Sequence, residues 1–310
     1  MSVEQDSLST NANGGTELIK RAIISDIDPT LLDHFQIFVS RVEKPLDPNK
    51  IRIYFAHDLA GDPAADNALA NGGWSRFRLC VFVSNWQMQQ FIARYNIPWN
   101  QCCVMLNAIE PIPNSTKPNG PLKLAYWATP HRGLDILVPV FNQLALEFDI
   151  TLDVFSSYKL YGWGQRDADF EHLFQECRDH PKINYHGTVS NDELRKSLET
   201  THIMAYPSTW QETSCICLME AMSAGLVAVH PNLGALPETA ANWTVMYQYQ
   251  EDKNRHAQAF YSVMKEVIKN FEHYNQSVQS AASYANVFYN WNIRKEQWTT
   301  LLTSLLQSNR

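Results

Sequence analysis

Two glutamates eight positions apart, Glu212 and Glu220, are the residues whose type and spacing most directly suggest chemistry. Glu212 precedes an apolar helical run that contains Glu220, and Thr213 or Ser214 can cap that helix. A helix N-terminus favours an anion such as a diphosphate, and a carboxylate accepts hydrogen bonds from paired sugar hydroxyls. The pair therefore indicates a nucleotide-sugar site. The alternative is an ordinary helix with one solvated and one buried glutamate.

The sequence around this pair resembles that of a known enzyme family. Pro207-Ser208 precedes the first glutamate, Glu220-Ala-Met-Ser-Ala-Gly225 continues from the second, and Gly234-Ala-Leu-Pro-Glu238 follows. This context resembles the Glu-x7-Glu motif of retaining glycosyltransferases with the GT-B fold, in particular glycosyltransferase family 4. The resemblance covers nearly the whole chain. It implies an α/β fold of two Rossmann-like, doubly wound domains that face each other across a cleft.

The resemblance also implies a role for each residue of the motif. Glu220 matches the glutamate that holds the ribose hydroxyls of the donor, and Glu212 matches the one near the transferred sugar. Between them, Thr213, Ser214 and Cys215 would offer backbone N–H groups to the sugar or the phosphates.

A second loop follows a predicted strand at 122–126 and, in the family, presents basic residues to the diphosphate. Arg132 matches the basic position before a glycine, where its charge would neutralise the leaving phosphates. It could instead be an exposed arginine near a helix N-terminus. The family's usual second basic residue is absent from this run. Thr129 could donate a hydroxyl in its place, and Lys159 could supply charge from the next loop, unless it is a solvated lysine.

Two features of the N-terminal half complete the predicted site. Gly14-Gly15 resembles the family's glycine-rich loop, whose glycines let backbone amides approach a phosphate or sugar; alone, the pair would be a turn. His57 ends a predicted strand and would bond the donor sugar or the acceptor, or else be satisfied by backbone. We take Glu212, Arg132 and His57 as the catalytic candidates.

Apolar strands alternate with helical segments along the chain, which predicts parallel sheets wrapped by helices. The Pro-rich run at 112–121 predicts an interdomain linker. The expected domains are 1–118, joined by a C-terminal helix at 293–310, and 119–292. Residues 1–10 are too polar to supply the strand that usually precedes the glycine-rich loop, so we expect a trimmed first domain. The predicted strands are 35–40, 51–56, 79–84, 102–106, 122–126, 151–155, 183–186, 203–206 and 226–229. The predicted helices are 16–27, 85–95, 133–148, 167–179 and 191–199, besides those that carry Glu220 and the C-terminus.

Composition excludes several partners. The net charge of −7 and the absence of a basic block argue against nucleic-acid binding, and so against a DNA-modifying glucosyltransferase. The six cysteines contain no C-x-x-C pair, which suits reduced thiols in a cytoplasm. We expect no signal peptide and no transmembrane segment, which leaves only peripheral membrane contact. The triplets Asp26-Ile-Asp28 and Asp167-Ala-Asp169 do not follow strands, so neither predicts a metal site, and we expect no cofactor.

Together these features predict a retaining, metal-independent transferase. By resemblance, the acceptor hydroxyl of a glycan, lipid or other small molecule would attack on the face that the leaving group vacates. A phosphate oxygen of the leaving nucleotide would serve as the base. Two alternatives stay open: a nucleotide-sugar-binding protein of the same fold without turnover, and a nucleotide-sugar epimerase. The epimerase would need acid and base groups beyond His57 and His131.

Overall fold

The computed structural model describes residues 14–113 and 115–308. These residues form two compact units, one from 14–108 and 289–308 and the other from 109–288. The sequence pattern placed the corresponding boundaries at 118 and 292. Among the described residues, no helix has the length and apolar character needed to cross a membrane.

The first unit is built on a parallel sheet in the order β1-β2-β3-β4. Two short helices absent from the sequence prediction begin at Asp-Pro pairs: the Asp28 side chain caps α2 and the Asp62 side chain caps α3. Up to residue 108 the elements are α1 (Gly15–Asp26), α2 (Pro29–Leu32), β1 (Phe35–Val39), β2 (Ile51–Ala56), α3 (Pro63–Leu69), β3 (Leu79–Phe82), α4 (Asn85–Tyr95) and β4 (Cys102–Val104).

The second unit has a parallel sheet in the order β10-β9-β8-β5-β6-β7. From residue 109 to 288 the elements are β5 (Leu122–Tyr126), α5 (Leu134–Glu147), β6 (Ile150–Val154), α6 (Glu171–Asp179), β7 (Ile183–Tyr185), α7 (Asn191–Leu198), β8 (Ile203–Ala205), α8 (Ile216–Ser223), β9 (Val227–Pro231), α9 (Leu236–Ala240), β10 (Val245–Tyr247), α10 (Lys253–Lys269) and α11 (Asn275–Phe288).

The last helix, α12 (Trp291–Gln307), belongs to the first unit. The ring of Trp298 meets that of Phe55 edge to face at 5.0 Å. The indole N–H of Trp291 donates to Asp26 Oδ2 over 2.5 Å. A buried aromatic contact and a charge-assisted hydrogen bond thus fix the start and the middle of the helix to residues of the N-terminal half.

The strand order of the second sheet determines where a ligand can bind. The chain starts in the middle at β5, proceeds outward through β6 and β7, and then crosses to β8 and continues outward on the other side. The direction of winding therefore reverses between β5 and β8. In doubly wound folds, ligands bind at the carboxyl ends of the strands at such a point. The prediction of an α/β fold with parallel sheets is confirmed.

One helix boundary was predicted wrongly. The sequence pattern placed a helix at 167–179, but α6 begins at Glu171, and Gly164–Phe170 forms a 3₁₀ helix. The reason is that Asp167 is engaged elsewhere, since its carboxylate accepts from Ser157 Oγ over 2.5 Å and from Tyr158 N–H over 2.7 Å. These bonds tie the segment to the loop that follows β6.

Candidate active site at the switch point of the second sheet

Two loops flank the reversal point: residues 127–133 follow β5, and residues 206–215 follow β8. They approach each other closely at Gly133, which adopts φ +110°. A Cβ built on Gly133 would lie 2.2 Å from the carbonyl oxygen of Pro207. Only glycine allows both this backbone conformation and this approach. The glycine after Arg132 therefore brings the arginine loop against the Glu212 loop.

The second of these loops places Glu212 against Arg132. Arg132 Nη1 lies 2.5 Å from Glu212 Oε1, and the hydroxyl of Tyr206 donates to the same oxygen over 2.5 Å. Glu212 is 5% exposed, while the Arg132 side chain retains 22% of its exposure. Burial alone would lower the pKa of Arg132, but the charge of Glu212 outweighs it and holds that pKa well above its usual value. Glu212 of the sequence motif therefore forms an ion pair with Arg132 at the switch point.

The backbone of Glu212 is held from its other side by Gly234 and Ala235. Ala235 N–H donates to the Glu212 carbonyl over 2.8 Å. Gly234 adopts φ +60°, and a Cβ there would lie 2.7 Å from the same carbonyl oxygen. The Gly-Ala-Leu-Pro-Glu segment that accompanies the two glutamates in the sequence thus acts by packing on the Glu212 loop.

Glu220 lies on α8 beside the loop that follows β5. The indole N–H of Trp127 donates to Glu220 Oε2 over 3.1 Å, and the Cys217 thiol donates to the carbonyl of Trp127 over 3.0 Å. Burial raises the pKa of Glu220 to about 7, against the opposing effects of the Trp127 bond and of Arg195. Within the described part of the chain, the hydrogen bond to the Glu220 carboxylate reaches Oε2 and not Oε1. Oε2 of this carboxylate thus accepts a hydrogen bond from Trp127, while Oε1 is available to a ligand.

The helix cap was predicted wrongly. The N-cap of α8 is Cys215, whose side chain makes no capping hydrogen bond, so the N-cap position belongs to neither Thr213 nor Ser214. The helix begins at Ile216, so both residues lie before the N-cap position. The predicted use of first-turn N–H groups for a ligand is compatible with this uncapped start.

Two buried hydroxyls lie at the carboxyl ends of β5 and β6. Phe155 N–H donates to the Tyr126 carbonyl over 2.8 Å, which places the two strand ends side by side. Thr129 Oγ1 and Ser156 Oγ are buried and have no hydrogen-bond partner among the described residues. Buried hydroxyls without a partner are uncommon and suit a bound polar ligand. Thr129 was a sequence candidate; Ser156 was missed, although its place after a buried strand could have marked it.

Lys159 and His131 are the other basic residues predicted in this region, and the role of Lys159 stays a prediction. Lys159 is exposed, and its ammonium makes no ion pair with any described residue. The His131 ring stacks on Tyr158, with its Nδ1 2.7 Å from the Tyr158 hydroxyl. Burial, together with Arg132 and Arg166, lowers the pKa of His131 to about 4, so the ring is neutral at pH 7. Arg132 is therefore the basic group that the structure brings to Glu212.

The remaining sequence candidates lie in the first unit. Gly14 is the N-cap of α1, and the helix begins at Gly15 rather than Thr16. His57 is 8% exposed, and burial lowers the pKa of its ring to about 3, so it is neutral. His57 N–H donates to Ser40 Oγ over 2.9 Å. The expected missing strand at residues 1–10 lies outside the described residues.

Three of the four aspartates of the two Asp-x-Asp triplets have structural partners. Asp28 accepts from Thr30 N–H at the start of α2, Asp26 from Trp291, and Asp167 from the loop after β6. Within residues 14–113 and 115–308, no three His, Cys, Asp or Glu side chains are grouped so as to hold a metal ion.

Comparisons with solved structures show the fold. A glycosyltransferase from Rickettsia africae superposes with a TM-score of 0.68 at 16% identity, covering 98% of this chain and 84% of that one. HepE of Anabaena, in complex with UDP and glucose, gives 0.67 at 14% identity over 94% and 77%. Sucrose-phosphate synthase of Thermosynechococcus elongatus gives 0.66 at 14% identity over 84% and 69%. The predicted GT-B fold is confirmed by these neighbours.

Sequence comparisons show the family. The gpi3 subunit of phosphatidylinositol N-acetylglucosaminyltransferase from Schizosaccharomyces pombe is 21% identical over 122 residues, 39% of this chain. The match spans only 25% of that curated relative's length. The family model described as glycosyl transferases group 1 matches residues 127–283, which begin directly after β5 and make up half of the chain. The chain therefore belongs to the family of glycosyl transferases group 1.

Proposed function

We propose that this chain is a retaining, metal-independent glycosyltransferase that moves a sugar from a nucleotide-diphosphate sugar to an acceptor hydroxyl. The observation that carries the proposal is the Arg132–Glu212 pair at the switch point, with Glu220 on the helix that follows. The fold neighbour HepE has been solved in complex with UDP-glucose, which supports a donor of this chemical class.

Arg132 is the group that meets the leaving diphosphate in this proposal. Its Nη1 bonds to Glu212, while its buried Nε has no partner among the described residues. A guanidinium can therefore serve the carboxylate and an anion together, because its donors point in several directions. Negative charge on the diphosphate grows as the glycosidic bond breaks, so this contact strengthens toward the transition state.

The two glutamates recognise different parts of the donor. Glu212 turns its open oxygen, Oε2, toward the transferred sugar, and Glu220 turns Oε1 toward the ribose hydroxyls. The acceptor oxygen bonds to the anomeric carbon on the face that the diphosphate leaves. Its proton passes to an oxygen of that diphosphate. In this mechanism the protein positions the substrates and stabilises charge, and no side chain becomes covalently attached.

The proposal requires no metal because groups of the protein balance the negative charge of the diphosphate. Arg132 supplies a full positive charge, and the uncapped start of α8 supplies partly positive N–H groups. The family's second basic residue is absent from residues 126–129, so the hydroxyl of Thr129 and the ammonium of Lys159 would complete the diphosphate contacts.

We propose an acceptor hydroxyl on a glycan, a lipid or another small molecule. The name of the gpi3 relative, a phosphatidylinositol N-acetylglucosaminyltransferase subunit, supports the lipid class among these. A cytoplasmic location is also proposed, and it is supported by the free thiol state of Cys80, Cys102, Cys103, Cys177, Cys215 and Cys217.

A ligand panel tests this proposal. The intact chain is heated with UDP, GDP, ADP and CDP and with their glucose, N-acetylglucosamine and mannose conjugates. A ligand at 100 times its Kd should stabilise the chain by about 2.7 kcal/mol and raise its Tm. Release of the diphosphate from the selected donor is then followed with candidate acceptors.

Each outcome of the panel has a defined meaning. Transfer with retention of anomeric configuration supports the proposal. Binding without transfer to any acceptor supports the binding-protein alternative, and conversion of the donor sugar without diphosphate release supports the epimerase. Absence of any nucleotide binding would overturn all three.

A further inference from the structure

Glu212 and Glu220 are held by the same kind of hydrogen bond, which the sequence motif does not reveal. Each carboxylate is held through one oxygen by the polar hydrogen of a buried aromatic residue: Tyr206 O–H on Glu212 Oε1, and Trp127 N–H on Glu220 Oε2. In each case the hydrogen bonds from described residues reach that one oxygen. Both aromatic residues come directly after the strands that flank the switch point, β8 and β5.

We propose that Tyr206 and Trp127 are positioning residues that orient the two glutamates, Tyr206 for transfer of the sugar and Trp127 for binding of the nucleotide. This inference rests on the proposed function. It divides the roles of the two aromatic donors: each acts on a different carboxylate and therefore on a different step.

Tyr206 can hold Glu212 throughout the reaction. Its backbone N–H donates to the Val229 carbonyl over 3.0 Å, and the residue is 1% exposed. The position of the hydroxyl is therefore fixed. Burial and the Glu212 charge raise the pKa of Tyr206 well above its usual value, so the hydroxyl keeps its proton. Arg132 serves the diphosphate as well as Oε1 in the proposed mechanism, so Tyr206 is the donor committed to the carboxylate. A buried carboxylate that loses its partners is costly and would rotate to find others.

Trp127 holds Glu220 in the same way but with a different consequence. The indole N–H can only donate, so it favours the ionised carboxylate. The thiol of Cys217 donates to the Trp127 carbonyl and fixes the residue from the α8 side. Removal of the indole leaves Glu220 without a donor and raises the pKa of the carboxyl further above about 7. Arg195 would still oppose that rise, and the neighbouring Cys217 thiol stays neutral because its pKa is well above the usual value.

Two substitutions separate the roles. In Tyr206→Phe, turnover at saturating donor should fall about 10- to 100-fold because the reacting carboxylate is misplaced, with UDP affinity unchanged. In Trp127→Phe, UDP affinity should fall about 10-fold, with turnover at saturating donor nearly unchanged. Affinities are measured by calorimetry with UDP, or with the diphosphate that the panel selects, and turnover by diphosphate release.

The first unit offers a matched control for each variant. Tyr95 O–H donates to Asp66 Oδ1 over 2.8 Å, and Arg94 binds the same carboxylate. Tyr95→Phe therefore removes the same kind of bond from a tyrosine–carboxylate–arginine group elsewhere. Trp291→Phe likewise removes an indole–carboxylate bond, the one to Asp26. Both controls should lose stability while keeping UDP affinity and turnover.

A pH profile distinguishes positioning from a structural role for Trp127. Binding of UDP-glucose should strengthen as the pH rises through about 7, because Glu220 must be ionised to accept from the ribose. UDP-glucose is the probe because a terminal phosphate titrates itself near about pH 6. In Trp127→Phe the midpoint should move to higher pH. A structural role alone would leave the midpoint in place.

The results can separate this inference from the proposed function. If the wild type binds no nucleotide, the proposed function fails. If the wild type binds and turns over donor but both variants lose affinity and turnover in parallel, or lose neither, the division of roles is wrong. Should a variant fail to fold, Tyr206→Met or Trp127→Met replaces it, since methionine fills an irregular space without donating a hydrogen bond.

Discussion

Replacement of Glu220 by glutamine should raise the stability of the chain and weaken its binding of the nucleotide. Burial raises the pKa of this carboxyl from its ordinary value of 4.5 to about 7. The folded chain therefore retains a proton that the unfolded chain has already released. The contribution of Glu220 to stability is greatest below pH 4.5 and is lost as the pH rises through 7, since the folded state binds more protons at this group over that interval. Glu220→Gln removes this dependence and keeps a carbonyl oxygen for the Trp127 N–H.

The magnitude follows from the difference between the two pKa values. A change of 2.5 units, from 4.5 to about 7, corresponds to about 3 kcal/mol at roughly 1.4 kcal/mol per unit. Relative to the wild type, Glu220→Gln should thus gain about 3 kcal/mol in unfolding free energy between pH 4.5 and pH 8. The same variant should bind the nucleotide more weakly, because a neutral amide accepts less strongly from the ribose hydroxyls than a carboxylate does.

Urea unfolding at several pH values between 4.5 and 8 measures the effect, with the transition of the second unit followed separately from that of the first. Glu251→Gln is the control, because Glu251 is exposed and precedes α10 without a described contact. Its difference from the wild type should stay constant with pH. A constant difference for Glu220→Gln as well would refute the reasoning, since it would mean that the folded state holds Glu220 ionised.

Three further predictions test other parts of the site. Arg132→Ala should reduce turnover more than donor affinity, because the diphosphate charge grows toward the transition state; equal losses in kinetics and calorimetry would indicate ground-state binding alone. Turnover should survive EDTA, and activity that returns only on addition of a divalent metal would contradict the proposed diphosphate contacts. Gly133→Ala should destabilise the chain by at least about 2 kcal/mol in urea unfolding, because its Cβ would meet the Pro207 carbonyl. Gly120→Ala is the control, since Gly120 has φ +122° with open space around it, and an equal loss there would assign the cost to backbone strain alone.

Local signals in the sequence were sufficient for many elements. The strand at 51–56 and the helix at 85–95 have the predicted bounds. The helix begins after Ser84, whose side chain accepts from Gln87 N–H, and ends at Asn96 in the left-handed region. These features depend on neighbours within a few positions, which is why a sequence pattern can predict them.

The site was predictable only where the motif named its residues. Arg132 and Glu212 were identified, and the structure pairs them. Trp127 and Tyr206 were missed because an aromatic residue after a buried strand looks like core until its partner is known. Trp127 meets Glu220 across 93 positions of the chain, and no periodicity carries that information.

The glycine contacts on the Glu212 loop have a consequence for enzyme engineering. Gly133 packs on the Pro207 carbonyl, and Gly234 packs on the backbone of Glu212. The loop is therefore in close backbone contact at both of these positions. Insertions or deletions between those two positions would displace one of the contacts. Libraries that aim to change substrate range should therefore keep the length of 207–212 and diversify side chains that point outward. Trp210, which is 41% exposed and lies with its ring 6.0 Å from the Arg132 guanidinium carbon, is the first position to randomise.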